Sequence, residues 1–173
     1  MKNYLAYLHY IWFSHKNLFK IFEDNKDYKT FYENFTSNDL RIYWIQYEKS
    51  LKIIENRNSL SLQKIDNIIS NWKIELVSYC DDNYPVDLKN IPNQPFLIYV
   101  KWNLKTDLNF ISIVWSRKWT KYSEVILEKI IPDLINNWFW IVSWWAYWVD
   151  SLSHKLAILN NWYTISVIWT WID

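Results

Sequence analysis

The chain contains no glycine. For 173 residues the usual share of about 7% predicts about 12, and chance alone gives none roughly once in 10⁵. A chain without glycine has no residue that enters positive φ freely, so every tight helix end and strand-to-loop turn must be built from residues carrying a Cβ. Fourteen tryptophans are present instead. Their neighbours are informative. Asn71-Trp72, Asn137-Trp138 and Asn161-Trp162 each follow an apolar helical stretch and precede a β-rich run, where Asn-Gly belongs. Trp144-Trp145, and Trp169 and Trp171 around Thr170, sit just past β-branched runs where tight turns also want glycine. The economical reading is decoding. Most bacteria read the codon UGA as stop, some as tryptophan and some as glycine; a gene of the last kind translated with the second table has this composition. The expectation is that most or all of these tryptophans are glycine in the living protein. The competing reading is a genuinely tryptophan-rich surface that stacks single strands or sugars, and it leaves the missing glycine unexplained.

With 51% hydrophobic and 21% charged residues the chain can bury a core, which excludes wholesale disorder. A formal net charge of +1 excludes a globally basic nucleic-acid coat, so any DNA contact must come from a local cluster. Cys80 is the single cysteine and can make no internal disulfide, and no basic-then-apolar leader is visible, so a cytoplasmic location is expected. The densest apolar stretch, 134–149, is interrupted by Asn136 and Asn137 and falls short of the roughly 18 clean residues of a spanning helix; no membrane partner is expected.

Residues 1–70 carry apolar side chains at three- and four-residue spacing, as in Leu5, Leu8 and Ile11, then Leu18, Ile21 and Phe22, and predict a small all-α domain. A strand is expected over 73–79, a rigid connection through Pro85, Pro92 and Pro95, and a second strand over 96–100. The domain boundary is placed near 70, with 71–173 as a second domain. From 110 the pattern is strand (110–114), helix (123–136), strand (139–142), helix (from 149 or 150 to 159) and strand (164–168). Strands alternating with helices of this length predict an α/β fold, a Rossmann-like parallel doubly wound sheet, incomplete at its C-terminal side.

Ligands of open α/β sheets bind beyond the carboxyl ends of the strands. Three loops are expected there: 114–120, 142–150 and 168–173. With glycine at the tryptophan positions each becomes a tight loop with free backbone N–H groups near a helix N-terminus, the physics of a phosphate cradle. The DNA- or phosphate-binding candidates are Trp115, Ser116, Arg117, Lys118 and Lys121, then Ser143, Trp144, Trp145, Ala146 and Trp148, then Trp169, Thr170 and Trp171. Arg117 supplies a planar, permanently charged fork suited to a phosphate, with Lys118 and Lys121 close behind. As literal indoles, Trp115, Trp144, Trp145 and Trp148 would obstruct that phosphate path. Tyr122 or Tyr147 could stack on a base. Ser143 lacks a nucleophile elbow and fits a turn or phosphate contact. Asp150 reads as a cap or first-turn acid of its helix, and His154 could pair with it across one turn. His9 and His15 have no partners at metal spacing, so no metal and no cofactor is expected. No catalytic residue is assigned.

Ile113-Val114-Trp115-Ser116-Arg117, the run from Val142-Ser143-Trp144-Trp145-Ala146-Tyr147-Trp148 to Val149-Asp150 followed by Ser153-His154, and Ile168-Trp169-Thr170-Trp171-Ile172-Asp173 resemble the three signature segments of the DNA-processing protein A (DprA/Smf) family once tryptophan is read as glycine. Tyr84-Pro85, Leu88, Ile91, Pro95, Leu97-Ile98-Tyr99 and Trp102 resemble its lead-in to the sheet. Over 1–70 the likeness is limited to a helical domain in the position of the family's sterile-alpha-motif-like domain. The resemblance implies a Rossmann-like fold that binds and protects single-stranded DNA during natural transformation, loads the RecA recombinase and forms homodimers. The alternative is a nucleotide-binding enzyme of the phosphoribohydrolase type on a related fold; no glutamate lies in the 143–150 loop, which counts against it.

Overall fold

The computed structural model describes residues 2–114 and 120–168. It divides between Thr106 and Asp107 into two compact units. The first contains α1 (Asn3–Tyr10), α2 (His15–Glu23), α3 (Tyr28–Asn34), α4 (Ser37–Ile42), α5 (Tyr47–Ser59), α6 (Leu62–Asn71), β1 (Ile74–Ser78), α7 (Val86–Lys89) and β2 (Leu97–Lys101). The second contains β3 (Phe110–Ser112), α8 (Lys121–Asn136), β4 (Trp140–Trp144), α9 (Val149–Leu159) and β5 (Thr164–Val167).

The helices of the first unit start where short polar side chains can accept from free N–H groups. Ser14 and Asn17 form a capping box at α2, Thr36 and Asp39 form one at α4, and Asp27 and Ser61 cap α3 and α6. Their apolar faces close on Leu8, Ile11, Leu18, Ile21, Leu40 and Ile53, all fully buried. The antiparallel pair β1–β2 belongs to this same core, because Leu76, Phe96 and Leu97 are buried in the helical cluster. A boundary near 70 follows the change of local pattern; by packing, residues 74–101 stay with the helices, and the break lies beyond Lys101. The two strands form a sheet of their own.

In the second unit β3, β4 and β5 are parallel and adjacent in that order. Each connection carries a helix, and α8 and α9 pack on each other and on the sheet through Leu127, Ile131, Ile135, Ile141, Val149 and Ala157. This is the strand–helix alternation of a Rossmann-like α/β fold, with the described helices sharing one apolar cluster. Thr120 and Ser123 form a capping box, so α8 starts at Lys121, two residues earlier than the apolar periodicity indicates. Its other end turns directly through Asn137–Phe139 into β4, so α8 runs antiparallel to the strands and opens at their carboxyl edge.

Several helices end on a left-handed residue. Trp12, Trp44 and Trp138 adopt φ of 84°, 56° and 63° after α1, α4 and α8, and Asn25 and Asn161 do the same after α2 and α9. Of the three Asn-Trp pairs, only Trp138 occupies the left-handed position. After α6 the turn falls on Lys73 (φ 52°), and after α9 on Asn161 (φ 56°).

Candidate nucleic-acid interface

The carboxyl edge of the parallel sheet is set by register. Ser112 lies opposite Val142, Ser143 opposite Ser166 and Trp144 opposite Val167, so Ile113, Trp144 and Ile168 leave the sheet along one edge. The Ser143 side chain, 2% exposed, donates its Oγ hydrogen to the Ile113 carbonyl at 2.7 Å, and the Ile113 N–H donates to the Val142 carbonyl at 2.9 Å. Ser143 thus clamps the ends of β3 and β4 together and keeps its hydroxyl inside.

From Trp144 to Trp148 every residue is exposed, and the chain re-enters the core at Val149 and Asp150, both buried. The loop is held from below: the Ser151 hydroxyl donates to the Ala146 carbonyl at 2.8 Å, and the Leu152 N–H to the Trp148 carbonyl at 2.8 Å, closing the first turn of α9. Trp148 is the N-cap of α9, with φ 78° and ψ −107° and no side-chain cap. That backbone region is the first central position of a II′ turn, dominated by glycine. The indoles of Trp144, Trp145 and Trp148 project outward, 44–70% exposed. A surface hollow of about 420 Å³ is lined by Asn71, Trp72, Lys73, Glu75, Lys101 and Trp102; no loop of the parallel sheet lines it.

His154 does not pair with Asp150. Its ring is buried, with Nδ1 2.8 Å from the Thr164 hydroxyl and Nε2 3.1 Å from the Trp144 carbonyl. Because a carbonyl only accepts, Nε2 carries a proton. The helix thereby latches β5 and the end of β4. Asp150 keeps its place in the first turn of α9, where a negative charge suits the helix dipole. Thr164 and Ser151 were not visible as site residues. Ser151, in the first turn after a tight loop, had a local signal; Thr164 meets His154 only through the sheet.

Lys121 is exposed at the first position of α8. A cation there opposes the helix dipole, which leaves it open to an anion. Trp115, Ser116, Arg117, Lys118, Trp169, Thr170 and Trp171 lie outside the described residues. Among the described residues no cluster of His, Cys, Asp and Glu is assembled for a metal ion, and no helix is long and apolar enough to cross a membrane.

This edge falls within the region matched by a known family model. Residues 75–173 match the family described as DNA recombination-mediator protein A. The chain belongs to that family. It is 38% identical over 103 residues to DNA processing protein DprA of Streptococcus pneumoniae, an alignment covering 58% of this chain and 36% of the relative. It is 31% identical over 140 residues to Protein Smf of Borreliella burgdorferi, covering 80% of this chain and 44% of the relative. The X-ray structure of DNA processing protein A (DprA) from Streptococcus pneumoniae superimposes with a TM-score of 0.72 at 25% identity, covering 96% of this chain and 57% of that one. The alignments thus cover less than half the length of these two curated relatives. The family resemblance and the Rossmann-like fold expected from the sequence are both observed.

Proposed function

We propose that the chain binds single-stranded DNA by its phosphates at the carboxyl edge of the parallel sheet, protects it, and delivers it to the RecA recombinase in natural transformation. The observation that carries this reading is the edge itself: an exposed 144–148 loop entering α9, with Lys121 against the dipole at the start of α8. Backbone N–H groups and a cation in this arrangement suit phosphate oxygens and carry no base information. The same reading assigns phosphate contacts to Ser116, Arg117 and Lys118 and to Trp169, Thr170 and Trp171. The family's description as a recombination mediator supports the choice of DNA over a free nucleotide. The protein acts in the cytoplasm by binding rather than catalysis, without cofactor, as a homodimer. Dimerisation compensates for a net charge of only +1 by doubling the phosphates engaged.

The test is Arg117→Ala in the form with glycine at the tryptophan positions, with binding to a fluorescent oligonucleotide followed across a salt series. Each lost phosphate contact lowers the slope of log K against log salt by about 0.7 for single strands. Unchanged affinity and slope would sink the phosphate assignment. Release of base from nucleoside monophosphates would turn the reading to the phosphoribohydrolase type.

A further inference from the structure

We infer that, in the protein as its own cell makes it, glycine occupies the positions read here as tryptophan, through UGA codons assigned to glycine. Composition raises the idea, and backbone geometry carries it independently. Nine described residues have positive φ; five are tryptophan, namely Trp12, Trp44, Trp102, Trp138 and Trp148. A bulky residue in this region is a genuine outlier, whereas the asparagines among the nine tolerate it.

Three of the five sit in one hydrogen-bonded motif. After α1 the Trp12 N–H donates to the His9 carbonyl and the Phe13 N–H to the Leu8 carbonyl, both at 3.1 Å. After α4 Trp44 bonds Arg41 and Ile45 bonds Leu40, at 3.1 and 3.2 Å; after α8 Trp138 bonds Ile135 and Phe139 bonds Leu134, both at 3.0 Å. This paired pattern is the Schellman turn, whose left-handed residue is usually glycine. Trp102 takes φ 70° just past β2, and Trp148 takes the II′-turn region before α9. The backbone thus favours glycine in five separate places.

Burial points the same way. Tryptophan is highly buried on average and supplies a large share of core area. Here Trp12, Trp44, Trp72, Trp102, Trp138, Trp144, Trp145 and Trp148 are exposed, up to 80% at Trp102, and no described tryptophan is buried. The cores are built from leucine, isoleucine, phenylalanine and tyrosine without them. Trp140 and Trp162 are half-buried and stack with ring centroids 4.5 Å apart; their backbones do not require glycine, and they follow only from the shared codon.

The experiment reads the codons at positions 12, 44, 102, 138 and 148 and weighs the matching peptides of the protein purified from its own cells. UGA codons with glycine masses at all five are expected, together with a collapse of tryptophan emission per mole relative to the recombinant tryptophan form. UGG codons, or tryptophan masses at these five positions, overturn the inference.

Discussion

At the scale of single residues, backbone conformation separates tryptophans that a recombinant chain tolerates poorly from those it uses. Trp44 is 75% exposed at φ 56°. Trp44→Gly is therefore expected to stabilise the tryptophan form by about 1 kcal/mol, the left-handed penalty less the entropy glycine adds to the unfolded chain. The urea midpoint should rise without a change of slope. Trp162→Gly should act oppositely. Its indole N–H donates to the Phe139 carbonyl at 2.9 Å and its ring stacks on Trp140, so a loss of about 1–2 kcal/mol is expected by the same assay. Ser143 gives a third case. Ser143→Ala leaves the Ile113 carbonyl without its side-chain donor at the point where two strands leave the sheet. We expect a loss of about 1 kcal/mol in unfolding free energy, together with faster hydrogen exchange at Ile113 and Trp144.

At the scale of elements, the contact between α1, α2 and β2 has a titratable heart. The His9 and His15 rings lie 4.9 Å apart; His9 Nδ1 is 3.0 Å from the Tyr99 hydroxyl, and His15 Nδ1 accepts from the Phe96 N–H at 3.2 Å. Burial, then the neighbouring His15, pushes His9 down from 6.5 to about 4, and burial lowers His15 as well. Both rings are held neutral, so the unfolded chain binds the extra protons. Stability is full above the ordinary histidine range and is lost as pH falls from about 6.5 to about 4, by on the order of 3 kcal/mol for His9. Denaturation midpoints measured at pH 7 and pH 4 check this, and His9→Gln should flatten the dependence.

The same elements show what was legible. Strand–helix alternation after 110 fixes the parallel sheet because it is local and periodic. The attachment of β1 and β2 to the helical core is not local: Leu76, Phe96 and Leu97 look like any strand's apolar face until α1 and α2 cover them. The latch of His154 onto Thr164 escaped for the same reason, while Asp150, four residues away on one helix, offered a plausible but unused partner. Asn-Trp spacing marked the helix ends to within two residues. Which residue of each turn goes left-handed depends on where the last α-type bond closes, and that is decided by packing.

At the scale of the whole molecule, the proposed function requires a nearly neutral chain to concentrate its positive charge at the carboxyl edge of the parallel sheet. Lys121→Ala is expected to weaken single-strand binding and lower the salt slope by about 0.7, with little dependence on oligonucleotide sequence; a sequence-dependent loss would mean that Lys121 reads bases. The left-handed turn that closes α1 also reaches beyond the folded protein. If Trp12 is a UGA glycine, a bacterium using the ordinary code ends this polypeptide after Ile11. A bacterium that reads UGA as tryptophan instead inserts an indole at each left-handed turn. The gene could then be carried into a foreign cytoplasm as DNA and still be silent there as protein, so a dihedral angle at the end of one short helix marks a barrier to genetic exchange.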